Sequence, residues 1–224
     1  MKTERDFKRM LEYCAGLAAH NERPWFHENH KWYEGAKADY LALLEHLQPV
    51  IANADPDLVR DILLMQPKDW MYRIARDMRY YKNRPPYEPS FRAYISRDRK
   101  SWLPIGYFLR IAPGASCYGT GIWTWNNAMA NPVRDCIQEH WQEFEEIVEV
   151  NDLVITGDQV KTMPHGYSEN HPAAEWVKFK TWNVIEEIPD EALTDFDGFA
   201  KLIEEKTLRM EPMRKFLLRA SEYV

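Results

Sequence analysis

Apolar positions along the first quarter of the chain recur at intervals of three and four. Phe7, Met10, Leu11, Cys14 and Leu17 draw one helical stripe, which predicts a first helix starting near Thr3. Trp25, Phe26, Tyr33, Ala36, Tyr40, Leu43, Leu44 and Leu47 draw a second. It predicts one long helix, or two with a kink, ending before Pro49. Asn21 is the expected N-cap, with Glu22 in the first turn and Pro24 early enough to be tolerated. A break follows at Asn53-Ala54-Asp55-Pro56, then a short helix over 57–64.

The period then changes from helical to alternating. The stretches 70–79, 91–97, 105–111 and 116–123 read as strands, with Pro113-Gly114 as a turn. Their connections are too short for helical crossovers, so the sheet is expected to be largely antiparallel. Helical spacing returns over 132–150, carried by Val133, Ile137, Trp141, Phe144, Ile147 and Val148. A Gly157-Asp158 turn, a loop over 163–172 and a helix opened by Pro172 follow. Pro189 interrupts, and two closing helices hold Phe196, Phe199, Leu202 and Ile203, then Phe216, Leu217 and Leu218 after Pro212. Helices, then sheet, then helices argue for an α+β fold: one domain over 1–224, with an antiparallel sheet of about four to six strands flanked by N-terminal and C-terminal helices.

Composition narrows this picture. The 224 residues are 45% hydrophobic and 29% charged, ordinary globular values for a chain that buries a sizeable core. Three cysteines, Cys14, Cys117 and Cys136, lie far apart without CxxC spacing and read as reduced thiols. The charged start, MKTERDFKRM, lacks the apolar core of a signal peptide. No apolar run approaches the roughly 20 residues of a membrane span. A cytoplasmic protein without membrane association is expected.

Charge changes the picture more. Positions 73–100 hold nine Lys/Arg against three acids, a net +6 in a chain of net charge -6. A basic island in an acidic protein argues for a local anion site and against a general nucleic-acid surface. Its densest part is RIARDMRYYKNRPPYEPSF, where Arg73, Arg76, Arg79, Lys82 and Arg84 surround one acid, Asp77, before Pro85-Pro86 and Tyr87. If 71–80 is a strand, Arg73, Ala75, Asp77 and Arg79 share one face. Asp77 would then fix Arg73 and Arg79 and leave guanidinium donors for a ligand. Arg76 falls on the more apolar face and needs a partner if buried. The same residues read equally as a salt-bridge network that ties the strand to the turn.

These residues resemble the signature of a family of conserved hypothetical proteins, domain of unknown function 2461: Arg-x-x-Arg-Asp-x-Arg-Phe, then Asp/Asn-Lys-x-x-Tyr. Tyr80 stands in the place of the Phe and Arg84 in that of the Lys. An arginine at 84 keeps the charge but cannot act as a base, which would leave that role to Lys82. Asn21, Arg23, Trp25, Phe26, Asn29 and Tyr33 match a second segment, with His30 in a Lys place. Pro164, Gly166, Tyr167, His171 and Pro172 match a third, flanked by Lys161, Lys178 and Lys180. The resemblance runs from about Phe7 to Leu217 and implies a fold and a site, without a reaction.

Other constellations carry less. Gly119-Thr120-Gly121 lacks the order of a phosphate loop and reads as a turn and bulge in a sheet. His27 and His30, with Glu28 and Glu34 nearby, lack a third convincing ligand, so no metal and no cofactor is expected. No nucleophile motif is present. Glu186, Glu187, Asp190 and Glu191 read as a solvated acidic face. The leading expectation is an anionic small molecule, carboxylate or phosphate, in a basic aromatic pocket of Arg73, Arg76, Asp77, Arg79, Lys82, Arg84, Tyr87, Tyr167 and His171. Lys82 or Tyr87 would assist any proton transfer, and the basic turn would face the His171 loop across one cavity. The alternatives are an interaction module that meets an acidic protein or RNA, and a purely architectural motif.

Overall fold

The computed structural model describes residues 7–96, 104–124 and 126–220; Thr3 and the last residue of the stretch 91–97 lie outside them. The fold is α+β, with eight α-helices and one open antiparallel sheet of four strands among the described residues. Strands β1 (Phe91–Ile95), β2 (Gly106–Ile111), β3 (Ser116–Ile122) and β4 (Trp182–Ile188) lie in chain order across it. Helices α1 (Lys8–Ala19), α2 (Arg23–Glu28), α3 (His30–Ala54) and α4 (Val59–Leu64) precede the sheet. Helices α5 (Asn127–Glu139), α6 (Trp141–Val150) and α7 (Ala174–Val177) fall between β3 and β4, and α8 (Phe196–Ala220) follows. Among the described residues no helix is long and apolar enough to cross a membrane.

Two compact units divide the chain. The first takes in the described residues up to Ile95, with Phe108–Tyr118 and Glu187–Glu205; the second takes in Gly119–Glu186, the start of β2 and the chain from Lys206 onward. In the first, α1 buries Met10, Tyr13, Cys14 and Leu17 and α3 buries Tyr40, Leu43, Leu44, Leu47 and Ile51. Tyr13 is the hub of an aromatic cluster, with ring centroids 5.5 Å from Trp32, 5.7 Å from Tyr33 and 6.1 Å from Phe91. In the second, Phe144 of α6 packs edge-on against Phe216 of α8 at 5.1 Å and against Trp176 at 5.4 Å.

The structure corrects several boundaries. Helix α3 passes through Pro49 and α8 through Pro212, although each was expected to end a helix. A proline costs one helical hydrogen bond and crowds the preceding turn. Leu47 and Ile51 beside one, and Met210, Met213 and Phe216 beside the other, are buried and hold each helix to its core. Residues 132–150 form two helices parted at His140, and the first begins at Asn127, where Asn126 accepts from the amide of Met129. Pro172 opens only the single turn α7. Strand β4 was not foreseen. Glu186, read as solvated, accepts from the side chains of Lys206 and Arg209.

Gly119 and Gly121 sit inside β3. A Cβ at 119 would lie 2.2 Å from the carbonyl oxygen of Val184, and one at 121 would lie 2.5 Å from that of Trp182. The β4 backbone fills the space beside both glycines, which explains the pair as strand packing.

Candidate functional site

The basic stretch lies in the first unit and is not the expected strand. After a 3-10 turn over Pro67–Trp70, the chain runs extended and makes two isolated bridges, Met71 to Ala93 and Ala75 to Tyr87. The alternation of faces holds only to Arg76: Ile74 is buried and Arg76 half-buried, while Arg73 and Ala75 are exposed. At Asp77 the chain turns, and its carbonyl accepts from the amides of Tyr80 at 3.0 Å and Tyr81 at 3.2 Å. Pro85-Pro86 brings it back without two of the amide donors a ladder needs. The result is a loop closed by Arg76 N to Pro86 O and Glu88 N to Ile74 O, both 2.8 Å.

Arg76 holds this loop shut. Its Nη1 donates to the carbonyls of Pro85 (2.8 Å) and Tyr87 (2.5 Å), and its Nη2 donates to Glu88 Oε2 at 2.5 Å. The partner that an arginine on the apolar side requires is thus Glu88, with two carbonyls. Asp77 and Arg79 form a separate, local pair. Arg79 donates through Nε (2.9 Å) and Nη2 (2.5 Å), and its amide donates to Asp77 Oδ1 at 3.1 Å. The Arg79 side chain, then its amide, holds the Asp77 carboxyl below the usual carboxylate range. Arg73 has no part in this pair, because the turn at Asp77 ends the shared face. Arg79, Lys82 and Arg84 are exposed at the loop tip, with Arg84 5.7 Å from the Tyr81 ring.

Tyr87 lies inside the first unit. Its ring stacks on Phe26 of α2 at 4.2 Å and 12°. Its backbone is read by Asn21, whose Nδ2 donates to Tyr87 O and whose Oδ1 accepts from Tyr87 N, both at 3.0 Å. Asn21 is therefore not the N-cap of α2; Glu22 occupies that place, without a side-chain cap bond.

Phe26 also lines a cavity of about 600 Å³, within the usual range for small-molecule sites. Phe26, Tyr33 and Tyr72 give it aromatic rings, and Leu41, Met71 and Ile74 give it aliphatic surface. Lys37, Lys68 and Arg73 bring positive charge; His30 and Asp69 also line it. Lys37 is partly neutralised by Glu34 at 3.5 Å and lies 5.6 Å from the Tyr33 ring. Among the described residues Lys68 and Arg73 form no ion pair. Burial, then Glu34, raises the pKa of Tyr33, so its hydroxyl stays protonated and is no base. Of the residues expected to bind an anion, Arg73 alone lines this cavity; Phe26, His30 and Tyr33 come from the second segment that matched the family. His30 Nε2 is 3.9 Å from Glu34, and both side chains are exposed.

Tyr167 and His171 belong to the second unit. Tyr167 donates to Asp135 Oδ1 at 2.7 Å, and burial together with this bond raises its pKa. His171 Nδ1 accepts from the amide of Ala173 at 3.1 Å, a local bond within the loop before α7.

A family model for conserved hypothetical proteins, DUF2461, matches residues 9–216. The chain belongs to the DUF2461 family. No curated protein and no solved structure matches it.

For this DUF2461 chain two of the cavity's three cations, Lys37 and Lys68, were missed in the sequence. Lys37 sits on an exposed helical face and Lys68 in a 3-10 turn, each ordinary by local pattern. The available signal was the aromatic run Trp25-Phe26 with Tyr33, richer than a helix core needs.

Proposed function

We propose that this protein binds an anionic small molecule with an apolar or aromatic body and a carboxylate or phosphate end, in the cavity of the first unit. The observation that supports this reading is the meeting of Lys68 and Arg73, without ion-pair partners among the described residues, with the aromatic rings of Phe26, Tyr33 and Tyr72 in one concavity. Cations of that kind are matched by a charged end group, and the planar Arg73 fork suits a two-oxygen acceptor. The rings would pack the body.

The test is titration calorimetry with 3-phenylpropionate at fixed ionic strength, with its neutral amide as control. Removing one charge-assisted contact is expected to weaken binding about tenfold in Arg73→Ala and in Lys68→Ala. Equal affinity for acid and amide, or unchanged affinity in both variants, would refute the reading.

A second reading rests on the loop tip. Arg79 is 82% and Tyr80 80% exposed, beside the exposed Lys82 and Arg84. Such a tip suits an interaction module that contacts an acidic protein or RNA. Fluorescence anisotropy with an acidic peptide and a single-stranded RNA checks it: binding lost in an Arg79/Lys82/Arg84 triple-alanine variant supports it, and no binding by the parent excludes it.

A further inference from the structure

The second unit holds a smaller cavity of about 350 Å³, lined by Thr124, Asn126, Asn127, Ala130, Arg134 and Lys180. Arg134 is fully buried. Its Nε donates to Val177 O at 2.9 Å and its Nη2 to Phe179 O at 3.1 Å. Its Nη1 donates to Asn131 Oδ1 at 3.0 Å and more weakly to Asn127 Oδ1 at 3.4 Å. Every one of these acceptors is neutral. A buried guanidinium without a carboxylate against it keeps its full charge inside the protein, a costly arrangement unless an anion arrives. The adjacent acid, Asp135, favours the Arg134 charge from a distance but forms no ion pair with it among the described residues, and its Oδ1 accepts from the Tyr167 hydroxyl. Burial pulls the Arg134 pKa down, although an arginine stays charged at any ordinary pH.

The rest of the lining is biased toward donors. Lys180 is exposed and, among the described residues, forms no ion pair. Asn126 spends its Oδ1 on the amide of Met129, and Asn127 turns its Oδ1 to Arg134. Each asparagine therefore keeps an Nδ2 group to donate. The Thr124 hydroxyl donates to the carbonyl of Lys180, which ties down the residue that carries the ammonium. No carboxylate lines the cavity among the described residues.

We propose that this cavity binds a phosphate group, free or at the end of a small organic molecule, between Lys180, Arg134 and the asparagine amides. Donors converging from several directions suit the many lone pairs of a tetrahedral oxyanion better than a flat carboxylate. The site is independent of the aromatic cavity of the first unit and shares no residue with it.

The test is titration calorimetry of the full chain with inorganic phosphate and with glycerol 3-phosphate, in chloride buffer at matched ionic strength. Saturable binding is expected, weakened about tenfold or more by Lys180→Ala and by Asn127→Ala. Lys201→Ala, at an exposed lysine that lines neither cavity, should bind phosphate as the parent does. Tighter binding of inorganic phosphate would identify the free anion as ligand, and tighter binding of the monoester an organic phosphate. Because Arg134→Ala risks unfolding the unit, the decision rests on Lys180 and Asn127, with circular dichroism confirming that both variants fold. No binding above chloride, or binding unchanged in both variants, would overturn the proposal. Loss in Arg73→Ala alone would assign the phosphate to the first unit's cavity and overturn it too.

Discussion

Asn21 and Tyr87 face each other as two strand residues would, although only one of them uses its backbone. The Asn21 amide donates to the Tyr87 carbonyl and accepts from the Tyr87 amide, both at 3.0 Å, across 66 positions of sequence. A single side chain thus joins the entry of α2 to the return limb of the basic loop.

Replacing Asn21 with alanine should therefore cost more than a lost cap. The Tyr87 carbonyl keeps Arg76, but its part-buried amide is left without a partner. A loss of about 1–3 kcal/mol is expected, read as a lower urea midpoint at unchanged slope. An unchanged midpoint would show that water replaces the amide without penalty.

The arginines of the motif should separate cleanly by mutation. Arg76, with 15% of its side chain exposed, bonds two carbonyls and Glu88. Arg76→Ala removes the donor to the Pro85 carbonyl and the close cation from Glu88, while the Tyr87 carbonyl keeps Asn21, and should lower stability by about 2–4 kcal/mol. Had Asp77 fixed both Arg73 and Arg79 on one strand face, Asp77→Ala would be costly as well. The pair with Arg79 lies in solvent, so the midpoint at neutral pH should not move measurably. The sign of the pH effect is fixed. Asp77 has a folded pKa below its unfolded value, so its contribution is present above about pH 4 and lost as pH falls through the folded pKa. Equal destabilisation by the two variants at pH 7 would contradict this division.

What the sequence made legible follows the physics of each element. The stripes of α1 and α3 announced their helices because a buried face repeats every three or four residues. Pro49 and Pro212 misled because local chain stiffness is a weaker signal than the burial of Leu47, Ile51, Met213 and Phe216 around them. Strand β4 hid behind Glu186 and Glu187, whose charge reads as surface; only the fold brings Lys206 and Arg209 to Glu186. The expected strand over 70–79 failed at Asp77, where a side-chain bond to its own loop competes with the ladder. The cavity was invisible as a unit, because Lys37, Lys68 and Arg73 approach one another only through the fold.

The three thiols should be silent in the native state. Cys14, Cys117 and Cys136 are all buried. Burial pushes the Cys14 thiol up to about 12 and raises the other two. Little thiolate is present at pH 8, so a disulfide reagent should modify none of the three in native buffer and all of them in denaturant. Because the folded pKa values are raised, this contribution to stability is complete below the unfolded thiol pKa of about 8.5 and is lost as pH rises above it. Rapid native labelling of any one thiol would show that it is reached by local opening.

The stack of Phe26 on Tyr87 gives the motif a route to the cavity without touching a ligand. Phe26 lines the cavity, and its ring stacks on Tyr87 at 4.2 Å. Tyr87 is in turn held by Asn21 and by Arg76. The buried part of the motif would then shape the wall, while Arg79, at the exposed tip, would not. Tyr87→Leu removes the stacked ring and should weaken 3-phenylpropionate binding about fivefold, the worth of an aromatic pair. It should also lower stability by about 1–3 kcal/mol. Tyr87→Phe keeps the ring and should keep both properties. Arg79→Ala should bind as the parent does, since Arg79 is absent from the cavity wall and its bonded partner is Asp77. The comparison separates positioning from contact. Binding lost in Arg79→Ala and kept in Tyr87→Leu would mean that the tip arginines meet the ligand themselves, and that the motif acts by charge rather than by holding Phe26 in place.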